Sequence, residues 1–464
     1  MAVNPADSAI YGTLFGSDAM RALFSDECRL QTMLDVEAAL ARVEARLGLI
    51  PKSAAAAIAK AAKAANLSLA EIAKGTALIG MPAAAVAKAL GRAAGGDAPR
   101  YVHWGATSQD IVDTALVLQL RAALDLVERD LKSVGDALAV QARKHRGTAM
   151  AGRTYLQQAL PITFGYKCAV WLAPLAQHRR RLAELRRRLL VVQFGGAVGT
   201  LASLGAKGRA VAEGLARELG LAAPVSPWHA NRETLAETAA LLGLICGSLA
   251  KFATDVILLS QTEVGEAGEP AAAGRGGSST LPQKHNPVAS AYIVACARGV
   301  HALVPLMFQA LAGDHERSTG AWQSESLALP QIFLLTSGAL QHAKDIATGL
   351  RVDVAAMRRN LGATHGLIVA EAVMMALAES AGRDAAHDLV QRASRTALAR
   401  SLPLAETLAK DPAVTAHLDA KAIVRLTDPA RYLGEAKAVV DRVLAAWRAW
   451  QSGRYATGER TLRK

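Results

Sequence analysis

The chain has 464 residues, of which 52% are hydrophobic, 20% are charged and 4% are aromatic. A chain of this length and composition can bury enough apolar surface to offset the entropy of ordering it, which excludes disorder over most of its length. Alanine and leucine dominate while aromatic residues are few, and this balance favours helices over sheets. The composition therefore predicts an all-α protein.

The net charge limits the classes of binding partner that fit the sequence, and the cysteines limit the cellular compartment. There are 53 lysines and arginines against 40 acidic residues, a formal net charge of +13, which suits an anionic partner, either a nucleic acid or a small polyanion. The four cysteines form no CxxC pair, so we expect neither a disulfide framework nor a thiolate metal site. The first residues lack a basic segment followed by an apolar one, and the most apolar stretch, 239–250, is too short to cross a bilayer. We therefore expect a cytoplasmic protein with no membrane partner.

Near the start of the chain, apolar residues at spacings of three and four predict an amphipathic helix over 29–47. One charged residue, Glu37, lies on the same stripe as the apolar ones. Gly48 and Pro51 follow directly and predict the end of this helix.

Two longer stripes follow, one after Thr107 and Ser108 and one from residue 235, and each has near-heptad spacing. Three more helices are predicted over the ranges 163–192, 288–304 and 331–350. Together these five predict a central bundle. The pattern divides the chain into a helical N-terminal domain over 1–106, the bundle over 107–354 and a C-terminal domain of shorter helices over 355–464.

The least generic stretch of the sequence is GGSSTLPQKHNP, residues 276–287. Its ordinary interpretation is a flexible Gly-Ser loop. The continuation adds a cation, Lys284, and an amide, Asn286, to the hydroxyls of Ser278 and Ser279, in a frame that two prolines stiffen. Such a set of side chains suits closure over an anion.

The stretch GSSxxPxKxNP resembles the signature loop of the fumarase/aspartase superfamily. The segments YVHWGATSQDIVDT (101–114) and GRTYLQQALPITFG (152–165) resemble two further regions of that superfamily, in its order and roughly its spacing. The resemblance implies a three-domain all-α fold with a five-helix central bundle, a homotetramer with shared active sites and no cofactor. It also implies abstraction of a proton from the carbon next to a carboxylate.

The resemblance implies roles for individual residues. Ser278 matches the general base, and Lys284 stabilises the charge that accumulates on the substrate carboxylate. The other matched residues would bind substrate: His103, Thr107, Ser108, Arg153, Thr154, Gln157, Ser279, Asn286 and Arg317. Each also has a simpler interpretation.

Taken alone, these motifs have ordinary structural explanations. Thr107 would be a helix N-cap, with Asp110 three residues later completing a capping box. His103 would be a buried, hydrogen-bonded histidine. The GRTYLQQ segment would be a solvated turn, and Arg317 would belong to a surface salt-bridge cluster.

Tyr155 departs from the family pattern, because relatives that eliminate amides and amines carry histidine at this position. Those enzymes need a general acid for a basic leaving group, whereas a carboxylate, with a pKa of about 4, leaves without one. The tyrosine therefore favours an intramolecular lyase acting on a small tricarboxylate over an adenylosuccinate-type lyase, which stays as the alternative.

A helical nucleic-acid-binding protein would also explain the positive charge. The basic run HRRRLAELRRRLL (178–190) has no interleaved aromatic residues, however, and its leucines 182, 185 and 189 form an apolar stripe. This pattern favours a solvated helix face, with the arginine stems packed along it.

Overall fold

The N-terminal part of the chain is built from short helices packed around one long helix. In a computed structural model, which describes residues 4–271, 276–277 and 280–451, the helices of this part are α1 (Gly12–Phe15), α2 (Asp18–Leu23), α3 (Asp26–Arg46), α4 (Lys52–Ala61), α5 (Leu69–Ile79) and α6 (Pro82–Ala94). The Ser25 hydroxyl caps α3 by accepting from the N–H of Cys28. The helix predicted over 29–47 is confirmed, and Gly48 follows it with a φ of +68°.

Five long helices form the centre of the chain, as predicted. The elements are α7 (Ser108–Lys144), β1 (Ala149–Thr154), β2 (Gln157–Thr163), α8 (Phe164–Leu189), α9 (Gly208–Leu219), α10 (Glu233–Leu259), β3 (Ala267–Gly268), α11 (Val288–Gln309) and α12 (Ala321–Gly349). The predicted stripe of α7 is buried from Leu120 to Leu138. The all-α prediction is confirmed, since the strands are short.

The C-terminal part consists of shorter helices, as predicted, and two of them start at Pro412 or directly after Pro403. Its elements are β4 (Arg351–Val352), α13 (Val354–Gly362), α14 (Ala370–Ala381), α15 (Arg383–Arg400), α16 (Leu404–Ala409), α17 (Pro412–Thr415), α18 (Ala420–Leu426) and α19 (Ala436–Gln451). Short 3₁₀ turns lie at Pro5–Asp7, Ala64–Asn66, Ala98–Arg100, Ala202–Lys207, Leu367–Val369 and Pro429–Arg431. Strand β3 pairs antiparallel with β4.

Two helix boundaries differ from the prediction because prolines lie inside helices. Helix α11 continues through Pro305 to Gln309, and α12 begins at Ala321 and passes through Pro330. A proline removes one bond to the carbonyl four residues earlier. For Pro305 that carbonyl belongs to His301, which is exposed, so water can replace the missing donor. The end predicted near Pro305 was therefore wrong.

The expectation that the apolar stretch over 239–250 is too short to cross a bilayer was also wrong. Helices α10 and α11 are both long and apolar enough to do so by length and composition, and α13 with α14 would be a third candidate if the bent pair were one span. Helix α10 continues beyond residue 250 to Leu259, and within this extension Lys251 and Asp255 pair with each other one turn apart. The most apolar window of α10 is 50% buried inside the protein and that of α11 only 28%.

The chain groups into two compact units. Unit 1 contains the residues up to Leu131 together with His178–Leu249 and Tyr292–Gln341. Unit 2 contains Lys132–Gln177, Ala250–Ala291 and the residues from His342 onward. Each of the five long helices contributes residues to both units. The three domain boundaries stay a prediction.

Candidate functional site

The first turn of α7 in unit 1 begins with a side-chain cap. The Thr107 N–H donates to Oδ2 of Asp110 at 3.0 Å, and the Asp110 N–H donates to the Thr107 carbonyl at 3.0 Å. Asp110, the third helical residue, therefore supplies one half of the predicted capping box, while its own N–H bonds the Thr107 carbonyl and not the hydroxyl. Thr107 and Ser108 are both half-buried, so they lie where a helix N-terminus presents amides to an anion.

Asp110 also fastens a glycine-rich segment onto this helix end. Its completely buried carboxylate accepts the N–H groups of Gly195 and Gly196, both at 2.9 Å, and His229 Nε2 lies 2.7 Å from Oδ1. Gly196 has a φ of +70°, and a Cβ on Gly195 would lie 2.8 Å from Pro227. The glycines are needed because the backbone itself must reach the carboxylate.

Arg317 contacts the same glycine-rich segment. Its Nη2 donates to the Ala197 carbonyl at 2.9 Å, while its Nε is buried and has no partner among the described residues. Within that part of the chain Arg317 forms no ion pair, so the surface salt-bridge interpretation is not supported. An unpaired guanidinium donor is what carboxylate binding requires. The substrate-binding role of Arg317 stays a prediction.

His103 lies just before α7, in the left-handed region with a φ of +62°. Its Nδ1 is 2.6 Å from Oε1 of Glu37 in α3. Burial lowers the pKa of His103, but the charge and hydrogen bond of Glu37 and the charge of Asp110 outweigh it and hold this pKa above its ordinary value. His103 is thus hydrogen-bonded, as its simpler interpretation predicts, and Glu37 favours the protonated form of its ring.

A second buried network lies one turn further along α7. Arg232 donates to Asp113 through Nη1 at 2.6 Å and to Glu325 through Nε at 2.8 Å, and the indole of Trp322 donates to Asp113 at 3.1 Å. Arg232 is 1% exposed, so its charge is balanced wholly by protein. Sequence analysis missed these residues. The sequence feature that could have indicated this network is a pair of aspartates, Asp110 and Asp113, three residues apart at the start of α7.

A cavity of 870 Å³ in unit 1 is lined by apolar residues of α3, α5, α7 and α12, including Leu116. Asp113 and Glu325 are among its polar lining residues. The cavity contacts no residue that was predicted to bind substrate. We therefore do not assign the substrate to it.

The GRTYLQQ segment in unit 2 is a β-hairpin with an exposed tip, so the solvated-turn interpretation holds for Thr154 and Gln157 but not for the half-buried Arg153. Strands β1 and β2 pair antiparallel up to Thr154 and Gln157, and the two loop residues, Tyr155 and Leu156, have φ of +50° and +64°. Two positive φ values match the twist of a type I′ hairpin. Tyr155 is 99% exposed, and Thr154 and Gln157 beside it are exposed as well. The predicted substrate-binding pair thus occupies a protruding tip.

Arg153, at the base of that tip, is engaged in a two-pronged ion pair. Its Nη1 and Nη2 each lie 2.8 Å from an oxygen of Glu266, whose side chain is fully buried. The Asn360 amide donates to the same carboxylate at 2.8 Å. The guanidinium charge is therefore already balanced, and sequence analysis missed Glu266 and Asn360. Binding of substrate by Arg153 stays a prediction.

The ends of the signature loop meet, also in unit 2. The Asn286 N–H donates to the Gly276 carbonyl at 2.7 Å, and a Cβ on Gly276 would lie 2.6 Å from the Asn286 carbonyl oxygen. Asn286 is half-buried and Lys284 is exposed. The predicted base Ser278 and its neighbour Ser279 lie outside the described residues.

Glu269 fixes the start of the helix that follows this loop. Its carboxylate oxygens accept the N–H groups of Ala289 and Ser290 at 3.2 and 2.6 Å, and the Arg351 Nε donates to its carbonyl at 2.6 Å. The C-terminal side of the loop is thus anchored by a helix cap. No cluster of three or more metal-ligating side chains occurs among the described residues.

The fold and these motifs define a lyase. The family model described as "Lyase" matches residues 15–301, and the model "Adenylosuccinate lyase C-terminus" matches residues 366–443. The chain belongs to this lyase family, within the fumarase/aspartase superfamily.

Individual relatives share the full length of the chain. The 3-carboxy-cis,cis-muconate cycloisomerase of Pseudomonas aeruginosa is 52% identical over 94% of this chain and 96% of its own. The enzyme of that name from Bradyrhizobium diazoefficiens is 50% identical over 95% of this chain and 99% of its own. The crystal structure of the 3-carboxy-cis,cis-muconate lactonizing enzyme from Pseudomonas putida matches with a TM-score of 0.91 at 48% identity, covering 96% of this chain and 100% of that chain.

Proposed function

We propose that the chain is an intramolecular lyase that interconverts 3-carboxy-cis,cis-muconate and a carboxymuconolactone. The observation that carries the proposal is the end-to-end likeness to curated cycloisomerases at about half identity. Tyr155 supports it independently, because a carboxylate leaving group needs no general acid at that position.

In the lactonising direction, one substrate carboxylate adds across a double bond. The carbon–oxygen bond forms, and the electrons of the double bond pass to the adjacent carbon and its carboxylate, where they form a dianion. Ser278 then gives its proton to that carbon, and in the reverse direction its alkoxide removes the proton. Lys284, Asn286 and Thr107 hold the negative charge that accumulates.

The donors of unit 1 suit a substrate with several carboxylates. The N-terminus of α7 offers backbone amides beside Thr107 and Ser108. His103, whose protonated form Glu37 favours, is a further donor, and the buried Nε of Arg317 contributes another that no described residue uses. These groups bind anionic oxygen, and none of them needs to transfer a proton.

We also propose a homotetramer with shared active sites. Helix α11 buries only 28% of its most apolar window within the chain, and the hairpin tip exposes Tyr155 and Leu156. Large exposed apolar surfaces mark contacts with another protein, and closed symmetry is the usual arrangement for identical copies. A second and third copy would cover these surfaces.

We place the enzyme in the cytoplasm, in the protocatechuate branch of the β-ketoadipate pathway of aromatic compound degradation. The four cysteines are free thiols, which suits a reducing compartment. The substrate would be a small tricarboxylate.

An adenylosuccinate-type lyase is the second candidate, favoured by the match of residues 366–443 to the adenylosuccinate lyase C-terminal model. A nucleic-acid-binding role has less support. On α8, Leu182, Leu185 and Leu189 are buried, and Arg180 and Arg188 pair with Glu184 and Glu237, so part of this basic face is already paired within the chain.

Ultraviolet measurement of carboxymuconate consumption tests the proposal. We expect the wild type to consume carboxymuconate and to leave adenylosuccinate and argininosuccinate unchanged. Efficient adenylosuccinate cleavage would overturn the assignment in favour of the second candidate. Light scattering of the same sample tests the assembly, and a fully active monomer would contradict the shared site.

A further inference from the structure

Glu37 is a charged residue in an apolar setting. It lies in the middle of α3 with Val36 and Leu40 completely or almost completely buried beside it, and is itself 1% exposed. A carboxylate at such a position is costly unless a partner compensates it. The partner is His103, whose Nδ1 lies 2.6 Å from Oε1, while Oε2 has no partner among the described residues.

The pairing determines what the other ring nitrogen of His103 can do. Because the Glu37 carboxylate accepts a hydrogen bond from Nδ1–H, the neutral ring would present a lone pair at Nε2 and repel a carboxylate. The protonated ring presents an N–H there and attracts it. In the part of the chain that the structure describes, Nε2 makes no hydrogen bond, and the side chain is 20% exposed.

We infer that Glu37 is a positioning residue that keeps His103 cationic, with its Nε2–H available to a substrate carboxylate at the N-terminus of α7. The inference rests on the proposed function and extends it to a residue that touches no substrate. His103 lies four residues before Thr107, and its backbone is in the left-handed region. A contact from another element is therefore needed to anchor the imidazole ring in one orientation. Glu37 supplies that anchor from a separate helix.

The charged groups around His103 leave Glu37 as its main counter-ion. Asp110 faces it from α7, but the carboxylate of Asp110 is shared with two backbone amides and His229. Glu44 lies two turns beyond Glu37 on α3, and burial together with the charge of Glu37 raises the pKa of Glu44 to about 9. At neutral pH Glu44 is therefore uncharged, and Glu37 is the acidic side chain of α3 that contacts His103.

The test is Glu37→Gln, which retains an oxygen acceptor for Nδ1–H and removes the charge. We expect KM for carboxymuconate to rise about tenfold, the scale of one lost charge-assisted contact, with kcat changed much less. The pH at which kcat/KM falls on the alkaline side, its alkaline limb, should be lower in this variant, because the protonated imidazole of His103 loses its proton at lower pH without the charge of Glu37. Glu44→Gln is the matched control, and it should leave KM and this limb unchanged because Glu44 is already neutral.

A double variant tests whether Glu37 acts by positioning His103 or only by packing in the core. In a His103→Gln background, Glu37→Gln should raise KM no further, because Glu37 acts only through the imidazole. Equal additive losses in both backgrounds, or an alkaline limb that does not move, would overturn the inference.

A direct titration keeps the inference independent of the proposed function. In protein with isotope-labelled histidine, the His103 signal, assigned by its loss in His103→Gln, should titrate above the ordinary value of about 6.5 and fall in Glu37→Gln. A wild-type His103 that titrates at or below 6.5 refutes the inference whether or not Glu37→Gln folds. Failure to consume carboxymuconate, with the titration as expected, would refute only the assigned reaction.

Discussion

Glu44 offers a stability test whose sign and pH dependence both follow from its surroundings. The side chain is completely buried, and neither carboxylate oxygen has a hydrogen-bond partner among the described residues. Burial first, and the nearby charge of Glu37 second, raise its pKa from 4.5 to about 9. Between these two values the folded protein holds a proton that the unfolded chain releases, so stability is lost progressively as pH rises.

The size of the effect follows from the two pKa values. Each pH unit above 4.5 costs about 1.4 kcal/mol, so the proton on Glu44 costs roughly 3 kcal/mol at pH 7 and roughly 6 kcal/mol near pH 9. Glu44→Gln has nearly the same shape and does not titrate. The contribution of this titration to the stability difference should therefore be zero near pH 4.5 and should favour the variant increasingly up to about pH 9.

The assay is urea unfolding of both proteins at one subunit concentration, at several pH values between 5.5 and 9. The extra N–H of the amide offsets part of the gain equally at every pH, so the slope of the difference is the decisive quantity. Glu263→Gln, at an exposed position, is the control and should show no slope. A difference between Glu44→Gln and wild type that stays constant with pH would refute the reasoning.

Three further predictions concern the proposed chemistry and the packing of unit 2. Ser278→Ala should lower kcat by about 10²- to 10⁴-fold with little change in KM, and Ser279→Ala should do less; near-normal turnover of the first variant in the ultraviolet assay would reassign the base. Tyr155→Phe should keep most cycloisomerase activity, and collapse of lactonisation would give the hydroxyl a role in proton transfer. Gly135→Ala should destabilise the protein by about 1–3 kcal/mol, because its Cβ would lie 2.1 Å from the Trp447 ring; an unchanged urea midpoint would contradict that packing.

The bundle could be predicted because its helices carry a periodic signal that does not depend on partners. The stripe of α7 from Leu120 to Leu138 is buried as its spacing indicates. The ends of the helices were harder to predict. Pro305 and Pro330 would each indicate a helix end, but both lie inside helices in the structure. The hairpin of β1 and β2 could not be predicted from its local sequence. Its loop residues Tyr155 and Leu156 have positive φ, which asparagine and glycine adopt readily and these two do not.

The site could be predicted only to the extent that its contacts are local in sequence. The bond between Thr107 and Asp110 follows from their spacing. The bonds from Asp110 to Gly195, Gly196 and His229 join positions 85 or more residues apart, and no periodicity encodes them. Glu37 did leave a trace, as a charged residue on an otherwise apolar stripe. A charge at a core position indicates a buried partner, although the sequence does not say which.

The net charge alone did not distinguish the possible binding partners. Which charged side chains are already paired within the chain is more informative. On α8, Arg180 and Arg188 contribute to the total of +13, yet each is paired with a glutamate on the surface. Arg153 is likewise balanced by Glu266. Arg317 keeps a buried donor that no described residue satisfies, and the Nε2 of His103 makes no hydrogen bond to any described residue, on a ring whose protonated form Glu37 favours. A small polyanion gains most from such preorganised, partly desolvated donors, because screening by salt weakens them far less than it weakens exposed charges.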